Sequence, residues 1–193
     1  MIVVQIGTNN GNDHVRDFCL KHKPSKIILV EPFSIHKSEI IKNYDGIDNV
    51  IIETLAITAD DDKQKTLFYS TMDGPIRGPM CSYHVTSIKP EHLLKHNYSR
   101  DTLRSFTVDS ITMNELFIKH NLDTIDYVFL DIEGIDFEVL QTIDFKRFNI
   151  KNLQIEVLHL NKSLLYNFMS RSGYISTHTT LDKHGFDELF TKV

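Results

Sequence analysis

The stretch Ile2–Gly11, IVVQIGTNNG, decides how the chain is read. Ile2, Val3, Val4 and Ile6 leave only Gln5 polar, which predicts a short strand buried on both faces. A loop of small and polar residues follows, with Gly7 and Gly11 at its ends. An amphipathic helix comes next, with Val15, Phe18 and Cys19 as its apolar stripe. Strand, glycine loop and helix in that order bring backbone N–H groups and a helix N-terminus to a ligand. Gly7 allows a sharp turn and Gly11 a close backbone approach. The plainer use of the loop is to cap the helix through Asn9 or Asn10. A dinucleotide fingerprint needs a glycine where Asn9 stands, which argues against a nicotinamide or flavin cofactor.

Working outward, apolar runs alternate with helical patterns. Lys26–Glu31 (KIILVE) predicts a second buried strand, stopped by Pro32. A helix opening at Phe33 or Ser34 would turn Ile35, Ile40 and Ile41 inward. Asn49–Ile57 (NVIIETLAI) reads as a third strand, and DDDKQK as the solvated turn of a hairpin returning through Thr66–Ser70. Met72–Pro90 has no sustained periodicity and reads as a lid or substrate loop. Pro90–Asn97 is a short helix that sets His92 and His96 on one face, a spacing zinc sites use. With no further ligand evident, that helix is expected to be simply exposed, and no metal is assigned. Ile125–Asp131 and Leu153–Leu158 read as the fourth and fifth core strands, and Gly173–Ser176 with Gly185–Thr191 as a closing antiparallel pair. The alternation predicts an α/β fold, a mostly parallel central sheet with helices on both faces and a C-terminal antiparallel hairpin at one edge.

At 193 residues, with 41% hydrophobic and 24% charged residues, the chain fits one globular domain over 1–193. A net charge of −5 without a basic stripe argues against double-stranded nucleic acid as a partner. Cys19 and Cys81 cannot build a disulfide framework and are expected as free thiols. No apolar run approaches membrane-spanning length and no leader pattern precedes the first strand, so a cytoplasmic setting is expected.

Carboxylates stand where the strands end. Ligands of open α/β sheets bind beyond the carboxyl ends of the strands. Glu31 closes the second strand about 20 residues past the glycine loop, where an acid accepts both hydroxyls of a ribose. Asp131 closes the fourth, with Glu133 and Asp136 just beyond, and Glu156 and His159 follow the fifth. Three roles are open for the acids of Asp131–Asp136: a divalent metal, a general base, or a cap for the next helix, which Asp136 would serve.

These segments resemble a known family. DIEGIDFEVL (Asp131–Leu140) looks like the signature of the FkbM-type methyltransferases, D-[VI]-E-G-x-E-x-x-[VL]-L. VQIGTNNG (Val4–Gly11) is similar to that family's first motif, VEPF (Val30–Phe33) to its second, FTVDSI (Phe106–Ile111) to its T-[LV]-D segment and IEV (Ile155–Val157) to its fifth-strand motif. The resemblance implies a Rossmann-like class I methyltransferase that uses S-adenosylmethionine to methylate a hydroxyl oxygen, often on a sugar or glycan. It further implies that Gln5, Gly7, Asn9 and Gly11 line the cofactor, that Glu31 takes the ribose hydroxyls, and that Ala56 approaches the adenine. Asp131 and Glu133 would then sit beside the transferable methyl, with His84 or His159 as the second choice of base. The chain departs from the family at Gln5, usually an acid, at Phe129, commonly Lys, and at Asp136, usually Glu. Those departures motivate the alternative of a weak or inactive cofactor-binding protein of the same fold.

Overall fold

The computed structural model describes residues 1–71, 85–181 and 185–193. The strands are β1 (Ile2–Ile6), β2 (Lys26–Val30), β3 (Val50–Glu53), β4 (Ala56–Thr58), β5 (Gln64–Ser70), β6 (Leu103–Thr112), β7 (Thr124–Leu130), β8 (Asn149–Glu156), β9 (Tyr174–Ser176) and β10 (Asp187–Lys192). The helices are α1 (His14–His22), α2 (Lys37–Asn43), α3 (Pro90–Lys95), α4 (Met113–Lys119), α5 (Asp136–Thr142) and α6 (Lys162–Arg171). The main sheet runs β3-β2-β1-β7-β8-β10-β9. Its first five strands are parallel, and β10 runs antiparallel to both neighbours. The strand order reverses between β1 and β7, where an open parallel sheet leaves a crevice for a ligand. This is the expected α/β architecture, with the antiparallel pair closing one edge.

Side-chain alternation divides the core into two layers. Val3, Ile27, Leu29 and Phe129 face α1 and α2 and pack with Val15, Cys19, Ile40 and Tyr44. Val4, Ile6, Ile28, Val30, Val128 and Leu130 face the other way, against Met113, Leu116, Val139 and Leu140 of α4 and α5. Cys19 lies inside the first layer, and burial pushes its thiol up to about 12, so it is an inert packing residue. Cys81 lies outside the described residues. No helix among the described residues is long and apolar enough to cross a membrane.

Local chemistry sets the helix starts. Thr112 and Glu115 form a reciprocal capping box at α4. At α1 the cap is neither Asn9 nor Asn10. Asp13 Oδ1 accepts from Val15 N at 2.9 Å and Arg16 N at 3.0 Å, while Oδ2 accepts from Gln5 Nε2 at 2.6 Å. The two asparagines are used up inside the loop, where Asn9 Oδ1 accepts from Asn10 N and Asn10 Oδ1 from Asn12 N. Asp13→Ala is expected to cost about 1–2 kcal/mol, read as a shifted urea midpoint, because the helix loses its cap and Gln5 its partner.

Three expectations are corrected. The third strand is two strands in different sheets: β3 pairs with β2, and Ala56 opens β4 rather than ending β3. The break comes at Glu53, whose carboxylate is held by His120 Nε2 at 2.7 Å and Lys119 Nζ at 2.8 Å. The expected hairpin across DDDKQK does not form, because β6 lies between β4 and β5 in a second, three-stranded sheet. At ten residues β6 is long enough to pair antiparallel with β5 and then parallel with β4. The helix after Pro32 starts as a short 3-10 turn, Ser34–His36, and of its isoleucines only Ile40 is buried. Ile35 and Ile41 are 48% and 56% exposed, since a helix this short presents one narrow stripe to the sheet.

Candidate active site

The carboxyl ends of β1, β2 and β7 open onto a continuous cleft. One part is lined by Gly7, Asn9, Glu31, Ala56, Asp131 and Glu133, among others. It continues past Gly7, Asn9 and Asp131 into a second part that reaches Gln5, Asp13, Glu156 and Asp187. The first part has apolar walls in Leu55, Ile57 and Ile132. The second is rimmed by carboxylates. The cleft lies at the strand-order reversal.

The glycine loop is shaped by its neighbours more than by open space. Gly7 has φ +83°, and a Cβ there would lie 1.7 Å from the Asp131 carbonyl oxygen. Only glycine lets the first loop pass so close to the turn after β7. Gly11, with φ +74°, is buried against the Tyr44 ring, 3.1 Å from a would-be Cβ. Its close approach is therefore to protein, and it does not line the cleft as the resemblance implied. Asn9, at φ 52°, does line it, and so does Gln5.

Glu31 sits on the cleft wall, 7% exposed. Its Oε2 accepts from Asn9 N at 2.7 Å and its Oε1 from Phe33 N at 2.8 Å. The carboxylate therefore ties the glycine loop to the turn after β2 while keeping lone pairs for a further donor. Burial pushes its carboxyl up to about 7, and the two backbone N–H groups pull it back only in part.

The DIEG turn, Asp131–Gly134, and Asp136 just beyond it carry three acids with different partners. Asp136 does not cap α5. It is the first residue of that helix, 2% exposed, and its carboxylate accepts from Ile132 N at 2.8 Å and Gly134 N at 3.2 Å. It shapes the turn, and burial raises its carboxyl to about 6. Glu133, at φ 58°, turns toward α3, where its Oε2 meets His92 Nε2 at 2.8 Å. Asp131 and Glu133 both stay on the cleft wall, and of the two Asp131 is the more exposed and so the more accessible to a ligand. Crowding protein raises its carboxyl well above the usual range, and Glu133, Glu156, Asp136 and Asp187 add to this.

The helix carrying His92 and His96 is not simply exposed. His92 is 4% exposed, because α3 packs onto the DIEG turn and Gly134 leaves no side chain in its way. Ser87 Oγ donates to Glu133 O at 2.6 Å and Lys89 Nζ to Gly134 O at 3.0 Å, strapping the two segments together. His159 stands with these histidines, its ring centroid 5.4 Å from that of His92 and 5.2 Å from that of His96. His84, the other histidine considered as a base, lies outside the described residues.

Sequence reading missed Asp13 and the His92–Glu133 contact. The first was legible, since an Asp just before an apolar-periodic run is a helix-start signal. The second joins residues 41 apart and has no local sign. Gln5 and Phe129, two of the three departures, prove to be register partners on β1 and β7. An acid and a lysine on neighbouring strands would be exchanged together for an amide and an aromatic ring, leaving no unpaired buried charge. Phe129 then packs edge-on to Phe18 and His14 under α1.

Among solved structures, the chain is similar to a precorrin-6y C5,15-methyltransferase from Geobacter metallireducens, at 10% identity over 99% of this chain and 78% of that one, with a TM-score of 0.49. It is similar to an rRNA methylase from Streptococcus thermophilus, at 12% identity over 100% and 86% of the two chains, with a TM-score of 0.48. A third is TrmK of M. capricolum, solved with S-adenosyl-homocysteine, at 13% identity over 99% and 60%, with a TM-score of 0.46. No curated protein matches the chain. Residues 5–184 match the methyltransferase FkbM domain. That match takes in all but the first residue, Val4, of the segments on which the resemblance rests, and the chain belongs to the FkbM methyltransferase family.

Proposed function

We propose that this chain binds S-adenosylmethionine in the cleft over β1, β2 and β7 and methylates a hydroxyl oxygen of a sugar, glycan or similar small molecule. The observation that carries the reading is Glu31, on the wall of an open crevice and bonded to the loop between Gly7 and Gly11. The chemistry of the donor set fits the cofactor. A carboxylate with lone pairs to spare suits a ribose diol, and Leu55, Ala56, Ile57 and Ile132 suit an adenine ring. Asp13, Glu156 and Asp187 suit the cationic methionine end. Thr8 Oγ1 lies on the same cleft, buried and without a protein partner among the described residues, so a bound molecule would satisfy it.

When bound, the cofactor supplies an electrophilic methyl on a sulfonium. The chain's main task is then alignment, which Gly7, Asn9 and Glu31 perform by shaping one end of the cleft. Asp131 orients the acceptor hydroxyl and takes its proton, since Glu133 is engaged by His92. The alternative, a cofactor-binding protein without turnover, loses force because Gln5 and Phe129 change as one buried pair and Asp13 returns a carboxylate to Gln5.

Calorimetry tests the reading. Wild type is expected to bind S-adenosylmethionine, and Glu31→Gln at least about tenfold more weakly, given about 1.5–3 kcal/mol per charge-assisted bond. The ribose hydroxyls need the ionised carboxylate. Affinity should therefore rise with pH, about tenfold per unit below 7, and level off above it. Glu31→Gln should flatten that profile. In the free protein the sign is opposite. A carboxyl raised from 4.5 to about 7 costs stability as pH climbs through that window, by about 3 kcal/mol in all. No binding by wild type, or a flat profile, removes the ribose role of Glu31. A methyl-release assay with mixed sugar acceptors then separates an enzyme from a binder.

A further inference from the structure

We propose that His92, His96 and Glu133 form a binding site for one divalent transition-metal ion of the zinc class. The three donor atoms, His92 Nε2, His96 Nε2 and Glu133 Oε2, lie within 4.8 Å of one another. Their separations are 2.8 Å from His92 to Glu133, 3.1 Å from His92 to His96, and 3.8 Å from His96 to Glu133. Metal bonds of about 2.0–2.1 Å at tetrahedral angles put ligand atoms about 3.3–3.4 Å apart. The observed spacings bracket that value.

Proton counting points the same way. His92 Nε2 carries either one proton or one lone pair, yet it has two close partners. Bonding to Glu133 needs the proton aimed at the carboxylate, which leaves His96 poorly served. Accepting from His96 sets two lone pairs against each other at the Glu133 contact. Charging both imidazoles would bring two cations together. A single cation between the three atoms satisfies every lone pair at once.

The surroundings hold this geometry in place. His92 and His96 are four residues apart at α3, so both rings leave the same face. Glu133 is a non-glycine residue held at φ 58°, with its carbonyl fixed by Ser87 Oγ. A Cβ on Gly134 would lie 2.6 Å from His92 Nδ1, so the turn is cut to fit the ring. His159 brings a third imidazole alongside, edge-on to both rings, and a water can complete the shell. Two imidazoles and one carboxylate suit zinc, cobalt or nickel, whereas magnesium and calcium take oxygen ligands. None of this depends on the methyl-transfer reading.

The test is a titration of the metal-stripped full chain with Co2+, followed by displacement with Zn2+. Wild type should show visible d–d bands of a tetrahedral site, saturating at one equivalent and bleached by Zn2+. His96→Gln, a mild change at a partly exposed position, and Glu133→Gln should each weaken binding at least about tenfold, with unchanged circular dichroism. His178→Gln, on the distant β9–β10 side, should bind like wild type. Absence of the bands in wild type, or full-strength binding by both variants, overturns the proposal. So does preferential Mg2+ binding that Glu156→Gln abolishes and His96→Gln leaves intact, because the acids Asp131, Glu133 and Glu156 would then be the site.

Discussion

Asp131→Asn is expected to lower the turnover number for methyl transfer by about 10²–10⁴-fold while the protein folds normally. The amide keeps the size of the side chain and removes its ability to take a proton. Of the two DIEG acids on the cleft wall, Asp131 is the more exposed and Glu133 is engaged by His92, while Asp136 just beyond them is committed to Ile132 and Gly134. Glu133→Gln should therefore lower turnover by less. Steady-state kinetics at saturating cofactor, with circular dichroism as the folding control, measures both. If Asp131→Asn retains wild-type turnover, proton transfer belongs to another group and the assignment fails.

Gly7→Ala is expected to produce the largest loss of stability, about 3 kcal/mol or more. Its Cβ would lie 1.7 Å from the Asp131 backbone oxygen, which is no flexible tip that can swing aside. The φ of +83° adds its own penalty. Gly46→Ala is the matched control. It has a similar φ of +78° but open space around the missing Cβ, so only the backbone term, about 1–2 kcal/mol, should appear. Urea denaturation of the two variants separates clash from conformation. Equal losses would mean that the glycine loop and the DIEG turn are not locked together. A loss at Gly7 should also abolish cofactor binding, because the same contact holds two walls of the cleft.

Periodicity made the main sheet readable. Runs such as IVVQI and KIILV are apolar on both faces, and only a parallel sheet covered by helices buries both. The closing antiparallel pair and the acids at the strand ends were legible for the same local reason. Where a side chain's partner lies within a few residues, as with Thr112 and Glu115, spacing suffices.

Other features depend on partners far along the chain. NVIIETLAI has no glycine or proline to mark its division, and β6, which captures its second half, begins 47 residues after β4 opens. Gly11 and Gly7 look alike as letters, yet one meets a tyrosine ring and the other a backbone carbonyl. The three acids of DIEGID are close in sequence, and the packing of α3 and the bend at Glu133 give Glu133 a histidine and Asp136 two backbone N–H groups as partners. Local pattern reports which face of an element avoids water, because that depends on neighbours one turn or one pleat away. Which two buried faces meet depends on loop closure and register over tens of residues, and the meeting of His92 with Glu133 is decided there.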